Sequence, residues 1–255
     1  MLQIPLTQQL IAGYLLALVR AVAWLFVCPP FGSSRLVPNQ VKIGFAGGLA
    51  VAMGPAIAKA GVPLDASPLI TAAALQAFTG ITLGFLGFLM FAALQAAGGL
   101  VDMFSGLTMG QMFDPMSGAS ASVFGRFYNV VAITLLFAID GHALLVRGFL
   151  RSFEAAPMTS LSMNVVARVF THHLGSFLLA AVEIAAPLLA ALFLAEVALG
   201  LLGRAAPALN ILVLGMPAKI LLAILLVGIA LPLLPGAVHS IVNDIAGDSV
   251  RLVRG

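Results

Sequence analysis

The chain has 255 residues, of which 62% are hydrophobic and only 8% are charged, and its mean hydropathy is +1.14. This composition excludes an ordinary soluble globular domain and indicates an integral membrane protein. The formal net charge is +3, but the 12 Lys and Arg residues are spread singly along the chain, which argues against a nucleic-acid-binding surface.

A single cysteine, Cys28, excludes an intrachain disulfide and a cysteine metal site, so we expect it to pack as a small apolar residue. The N-terminal sequence MLQIPLTQQL lacks the positive region of a secretory signal, and no small residue precedes Cys28 as in a lipoprotein. We therefore expect the first apolar block to be retained. No polar linker divides the chain, which predicts a single domain over residues 1–255.

Apolar blocks then follow one another along the chain. The first block, about Leu6 to Cys28, is long enough to cross a bilayer, which needs roughly 20 residues. A loop with two prolines and Gly32 ends it, and the second block runs from about Val41 to Ala60. Cations occur on every connection, so charge bias does not fix the orientation in the membrane.

The third block, about Leu69 to Leu100, carries small residues at spacings of three and four. This pattern makes a smooth face on a helix, against which another helix can approach closely. The residues are Ala73, Ala77, Gly80, Gly84 and Gly87.

A Gly-, Met- and Ser-rich segment, DMFSGLTMGQMFDPMSGASAS, interrupts the apolar pattern from Asp102 to Ser122. Methionine side chains fit irregular gaps, and glycine leaves the backbone free to rearrange. Two interpretations remain open on composition alone. The segment is either a linker between two membrane helices or an element that closes a hole and can be displaced.

Three more apolar blocks follow, at about 123–150, 163–203 and 211–234. Some forty helical residues in the fifth block would reach about 60 Å, whereas a bilayer core is only about 30 Å thick. Such helices are either steeply tilted and broken or belong to an assembly taller than the membrane. The tail after residue 235 is amphipathic and predicts a helix that lies at an interface or docks on a partner.

Charged residues within apolar helices are candidates for function because they are costly in hydrocarbon. They are Arg20, Asp140, Glu183, Glu196 and Lys219, with Arg126, Arg147 and Arg204 nearer the block ends. A proton-coupled transporter would use such groups, but they would also pair to fix helix register. Glu196 and Lys219 flank the turn between the last two long blocks, so we predict that they form an ion pair or contact a common neighbour.

Catalytic patterns are weak in this sequence. It contains no GxSxG, HExxH, Walker or dinucleotide-binding motif. His172 and His173 are adjacent, so on a helix they point about 100° apart and cannot face one metal together. We therefore expect neither an enzyme nor a cofactor.

Two segments together resemble a known family. The segment AEVALGLLGRAAPALNILVLGMPAKI resembles the signature of the flagellar biosynthetic FliR family, whose injectisome counterparts belong to the same type III secretion family. The earlier segment PPFGSSRLVPNQVKIGFAGGLA is similar to the N-terminal signature of that family. The matching positions are Glu196, Gly200, Arg204, Pro207, Asn210, Gly215, Pro217 and Lys219 in the first segment, and Pro30, Phe31, Gly32, Pro38, Val41, Lys42 and Ile43 in the second.

The resemblance implies a non-enzymatic subunit of the export gate of the bacterial flagellum. One such chain joins five copies of FliP and four of FliQ in a helical, cone-shaped assembly, with FlhB, FlhA, unfolded export substrates and membrane lipid as further partners. It implies an all-α chain with long apolar hairpins: a FliP-like part over 1–162, a FliQ-like hairpin over 163–235 and an amphipathic tail over 236–255. The implied location is the bacterial inner membrane, in the flagellar basal body.

The resemblance also implies that a loop closes the pore, and the matching segment here is about 106–122. In this reading Met109, Met112, Phe113 and Met116 exclude water, and Glu196, Gly200, Arg204, Pro207, Asn210, Pro217 and Lys219 form the hairpin signature and subunit contacts. Two alternatives remain: a proton- or solute-coupled secondary transporter, and the injectisome homologue of the same gate.

Overall fold

The computed structural model describes residues 4–29, 31–32, 37–108, 122–155, 163–206 and 211–243. Within these ranges the chain forms helices and no strand, which confirms the predicted all-α class. The helices are α1 (Ile4–Val27), α2 (Asn39–Lys59), α3 (Ala66–Ser105), α4 (Val123–Ala138), α5 (Gly141–Ala155), α6 (Met163–Ala205) and α7 (Ile211–Ala230). A 3-10 turn at Leu231–Leu233 leads into further helical residues at 234–243.

Five helical stretches in the described part of the chain are long and apolar enough to cross a membrane. They are Gln8–Val27, Asn39–Lys59, Ala66–Ser105, Phe170–Ala205 and Val213–Asn243. Helix α3 has 40 residues and α6 has 43, and α6 continues through Pro187 without a break. At 1.5 Å per residue both helices exceed about 55 Å, so the predicted excess over the bilayer thickness is present in unbroken helices.

The predicted fourth block is two helices rather than one. Helix α4 ends at Ala138 and α5 begins at Gly141, and Asp140 at the bend between them has a φ of 55°. A left-handed residue cannot continue a right-handed helix, and Asp tolerates this conformation better than most side chains. Hydropathy alone hides the break, because apolar residues continue on both sides of it.

The chain divides into two compact units. The first holds the described residues of Met1–Met90, Asp140–Leu174 and Ser240–Gly255, and the second holds those of Phe91–Ile139 and Gly175–His239. The division at residues 162 and 163 that the resemblance implies concerns likeness to other proteins, and it stays a prediction.

In the first unit, α1 packs against the small-residue face of α3, as the spacing predicts. A Cβ atom at Gly80 would collide with the carbonyl oxygen of Arg20, and one at Gly84 would lie 2.9 Å from the carbonyl oxygen of Trp24. The two backbones therefore approach each other closely, which only glycine allows at these positions.

A buried arginine joins three helices of the same unit. The Arg20 side chain is fully buried on α1, and its Nε donates to Gln76 Oε1 on α3 at 2.5 Å. Its Nη1 donates to the carbonyl oxygen of Ser152 on α5 at 3.2 Å, and its guanidinium carbon lies 4.4 Å from the Phe153 ring centre. These neutral partners hold α1, α3 and α5 in one register, because any shift would leave buried donors unsatisfied.

An aromatic contact lies one turn further along α1. The Trp24 ring stacks on Phe149 of α5 with ring centres 4.4 Å apart and planes 18° apart. Phe149 in turn meets Phe153 edge to face at 5.2 Å. The arginine contacts and the aromatic stack therefore fix the same pair of helices at two successive turns.

We expect the Arg20→Met substitution to lower the free energy of unfolding by about 2 kcal/mol, because it removes the charged donor from Gln76 and Ser152 in a buried site. The double variant Arg20→Met, Gln76→Leu should recover part of that loss. Thermal unfolding of the purified protein in detergent measures the change, with the exposed Arg126→Met as a matched control. Equal midpoints for the Arg20 and Arg126 variants would contradict the role of Arg20.

Candidate functional site

The Met-rich segment enters and leaves the described structure at α3 and α4 in the second unit. Its four predicted closing residues, Met109, Met112, Phe113 and Met116, lie outside the described residues. The structure describes the segment up to Thr108 and again from Ser122.

Helix α3 ends in a way that turns the chain sharply. Gly106 has a φ of 86°, and its N–H donates to the carbonyl oxygen of Met103 at 3.4 Å. Ser105 Oγ donates to the carbonyl oxygen of Asp102 at 3.1 Å. A left-handed glycine directly after the last helical residue is a common helix terminator, and its position fixes where the segment begins.

The Asp102 carboxylate, 1% exposed, connects the end of α3 to the start of α4. It accepts a hydrogen bond from Ser122 Oγ, and its two oxygens lie 3.1 and 3.2 Å from the backbone nitrogen of Phe124. Ser122 Oγ also accepts from the Gly125 N–H at 2.8 Å, which makes Ser122 the N-cap of α4. A carboxylate is favourable at this helix end, because the unpaired N–H groups carry partial positive charge.

These contacts hold both ends of the Met-rich segment at one place. We refer to Asp102, Ser122 and the N–H groups of Phe124 and Gly125 as the clasp. Sequence reasoning did not assign a role to Asp102, because its partners are about twenty residues away along the chain. The serine immediately before an apolar helix was the one available local signal, since serine is a preferred N-cap.

The N-terminal signature residues form a corner between α1 and α2. Lys42 is buried, its Nζ donates to the carbonyl oxygen of Gly32 at 2.9 Å, and it lies 5.3 Å from the Phe26 ring centre. Phe31 stacks on Phe45 of α2 with ring centres 5.9 Å apart.

The N-terminal signature also contains two prolines, Pro30 and Pro38. Pro38 immediately precedes α2, and its carbonyl oxygen accepts from the N–H groups of Val41 and Lys42. Pro30 lies outside the described residues. The structure therefore gives Phe31, Gly32, Pro38 and Lys42 a shared role in shaping the corner, and any role in binding a partner stays a prediction.

The hairpin signature brings Glu196 and Lys219 together. Lys219 Nζ on α7 pairs with Glu196 Oε2 on α6, which confirms the contact predicted from their positions on either side of the turn. The Lys219 side chain is 15% exposed and the Glu196 side chain is 62% exposed. This pair holds the two helices at matching depth near the turn.

The structure describes only some of the other signature residues. Gly200, Arg204 and Pro217 are exposed, and Arg204 lies in the last turn of α6. Pro207 and Asn210 lie outside the described residues. The proposed subunit contacts of these positions stay predictions.

The remaining candidate charges lie on the surface of the single chain. Arg126, Asp140, Arg147 and Glu183 are exposed, and none of their side chains makes a hydrogen bond or ion pair with the described residues. Among those same residues, no group of three His, Cys, Asp or Glu side chains is placed to hold a metal ion.

Comparisons with known proteins show a family match over most of the chain. Residues 11–245 match the family described as bacterial export proteins, family 1. The chain is 32% identical over 216 residues to the flagellar biosynthetic protein FliR of Bacillus subtilis, covering 83% of each chain. It is 32% identical to the FliR protein of Escherichia coli, covering 87% of this chain and 85% of the other. It is also 31% identical to the Yop proteins translocation protein T of Yersinia pestis, covering 87% of this chain and 86% of the other.

The clasp predicts a specific loss when its acceptor is removed. We expect Asp102→Ala to lower the free energy of unfolding by about 1–2 kcal/mol, because the first turn of α4 loses a capping carboxylate. Thermal unfolding of the purified protein in detergent measures the change. Glu154→Ala is the control, since Glu154 is exposed and its side chain makes no hydrogen bond with the described residues. Unchanged stability of the Asp102 variant would rule out the clasp.

The ion pair predicts rescue by exchange of the charges. Glu196→Lys or Lys219→Glu alone puts like charges together and should reduce the yield of folded protein by about two- to fivefold, because one partner is largely exposed. The double exchange should restore most of that yield, measured by size-exclusion chromatography of detergent extracts. Failure of the double exchange to improve on either single variant would remove support for direct pairing.

Proposed function

The chain belongs to the bacterial export proteins of family 1, and from this premise we propose that it is a structural, pore-closing subunit of the flagellar type III export gate. The observation that carries the proposal is the clasp, which holds both ends of the Met-rich segment at the Asp102 carboxylate. A segment that closes a pore needs fixed ends and a displaceable middle. The proposal assigns these two properties to the clasp and to residues 109–116.

Export by a type III system is supported by the names of the relatives. FliR proteins of two bacteria and a Yop translocation protein match the chain at 31–32% identity over most of its length. We propose the flagellar system, and the injectisome remains the alternative within the same family. The family description names export, and we propose that the chain acts without catalysing a reaction.

Closure would be apolar rather than electrostatic. Between Gly106 and Ser122 the only charged residue is Asp114, whereas Met109, Met112, Phe113 and Met116 are apolar. A hydrophobic constriction excludes water and hence ions, because a narrow apolar passage dewets. Methionine side chains repack easily, so the same residues accommodate a passing unfolded chain.

An assembly with other subunits is supported by the helix lengths. In the apolar stretches Phe170–Ala205 and Val213–Asn243, only 22% of the residues in the most apolar window are buried within the chain. A helix of 36 residues reaches about 54 Å, which exceeds the hydrocarbon core by about 24 Å. Lipid cannot cover all of this exposed apolar surface. We propose that FliP-like and FliQ-like subunits, five and four in number, cover it in the inner membrane, with FlhB and FlhA as further partners.

The closing role predicts a leak without loss of assembly. Deletion of Gly110 to Ser117 should leave the complex intact but make the membrane permeable to ions and small molecules, because apolar closure is lost while the clasp remains. Ion flux into cells or vesicles carrying the complex measures this. Replacing Met109, Met112, Phe113 and Met116 with Ser should also cause the leak, whereas replacement with Leu should not.

Two results would contradict the proposed function. A deletion variant that assembles fully and remains tight would favour a simple linker. A purified chain that is stable alone and transports protons or solutes in liposomes, with loss of transport on neutralising Asp140 or Glu183, would favour a secondary transporter.

A further inference from the structure

Over residues 177–195, the outer face of α6 carries one charge, Glu183, in an otherwise apolar surface. Ala181, Ala185, Leu188 and Leu192 lie on the opposite face and are buried. Glu183 lies two positions after Ala181, which puts it about 200° around the helix and on the outward side. It is exposed there, as is Leu194, which is 66% exposed.

Glu183 is deep within a membrane-length stretch. It lies about 20 Å from Phe170 and about 33 Å from Ala205, the two ends of the apolar stretch, at 1.5 Å per residue. Between Arg168 and Glu196 it is the only charged residue. A carboxylate at the centre of a membrane helix is costly when it has no partner. Glu183 is nevertheless present at a position where the neighbouring exposed residues are apolar.

No described residue offsets the charge of Glu183. Its side chain makes no ion pair or hydrogen bond with the part of the chain that the structure describes. The only charged residue of α7 is Lys219, and it is already paired with Glu196. Arg168 is on the same helix but about 22 Å away along its axis. Among the described residues, Glu196 of α6 thus has a lysine partner, and Glu183 has no cation.

We propose that the outer face of α6 docks against an apolar helix of a different subunit, and that this helix presents one Lys or Arg at the depth of Glu183. The inference rests on the proposed function in one respect, that the chain works within a membrane assembly. The intrachain pair is the precedent for this contact. Helix α7 is apolar except for Lys219, and that lysine pairs with Glu196 of α6. A similar helix from another subunit would satisfy Glu183 in the same way.

Other occupants fit this face less well. Lipid tails offer no donor at the depth of Glu183, so lipid leaves the charge unsatisfied. In a second copy of this chain, Lys219 would already be engaged by Glu196. Ala186 and Ala190 are exposed on the same side of α6, and small residues allow a neighbouring helix to come close.

Photocrosslinking tests which molecule covers the face. A photoreactive amino acid replaces Leu179 or Leu194, on either side of Glu183, in the full chain expressed in its native bacterium. Position Ile70 on α3, 71% exposed, is the control for a different surface. We expect adducts at 179 and 194 to one membrane protein, within an apolar helix that contains a Lys or Arg. Adducts only to lipid, to a second copy, or to a helix without a cation would overturn the proposal.

Charge exchange then tests the pairing itself. We expect Glu183→Gln to reduce recovery of the crosslinked partner with the tagged chain by about five- to thirtyfold, the range for an interhelical hydrogen bond worth 1–2 kcal/mol. Glu183→Lys should reduce it further, and exchange of the partner's cation for Glu should restore it. Glu154→Gln, at the exposed end of α5, is the matched control.

The outcomes separate this inference from the proposed function. Normal recovery and normal export with Glu183→Gln and Glu183→Lys would overturn the docking proposal and leave the export role standing. A wild-type chain that co-purifies with no membrane protein would instead overturn both.

Discussion

The hydrogen bonds to the Asp102 carboxylate are the constraint on which the second unit depends. Ser122 and the N–H of Phe124 meet at this one group, so the end of α3 and the start of α4 cannot separate without leaving a buried carboxylate unsatisfied. In a chain this apolar, packing alone is a weak guide to position, because one aliphatic face fits another with little preference. A satisfied polar group has a single correct partner, and it therefore fixes where a flexible segment begins and ends.

The same logic sorts the other buried polar groups into two classes. Arg20 and Lys42 are satisfied by neutral groups of the first unit, through Gln76 and Ser152 in one case and the Gly32 carbonyl in the other. Such groups specify the architecture of the single chain. The Glu183 side chain has no such contact with the described residues, although it lies within a stretch that is long and apolar enough to cross a membrane. Because an unpaired carboxylate is costly within an apolar helix, we infer that the partner of Glu183 lies outside this chain.

The sequence predicted those features that depend on local periodicity. The small-residue face of α3 and the pairing of Glu196 with Lys219 follow from helical geometry and a short turn, and the structure confirms both. The bend at Asp140 escaped prediction, because one left-handed residue leaves no mark on an apolar run. The role of Asp102 also escaped it, since the partners come from the far side of the Met-rich segment. Local patterns in a sequence do not show which distant residues meet, so such contacts become visible only in the folded structure.

The proposed closure of a pore by apolar side chains limits how that pore would open. Burial of one Met or Phe side chain stabilises a structure by about 1.5–3 kcal/mol relative to water, so moving four of them into water would cost on the order of 6–12 kcal/mol. A partner shifts such an equilibrium only by its differential affinity for the open state. In the proposed closing role, an unfolded polypeptide entering the passage would supply apolar side chains that replace the lost contacts, and the net cost would fall accordingly. The substrate itself would then provide much of the free energy of opening, while the clasp at Asp102 would keep the displaced segment in place for closure.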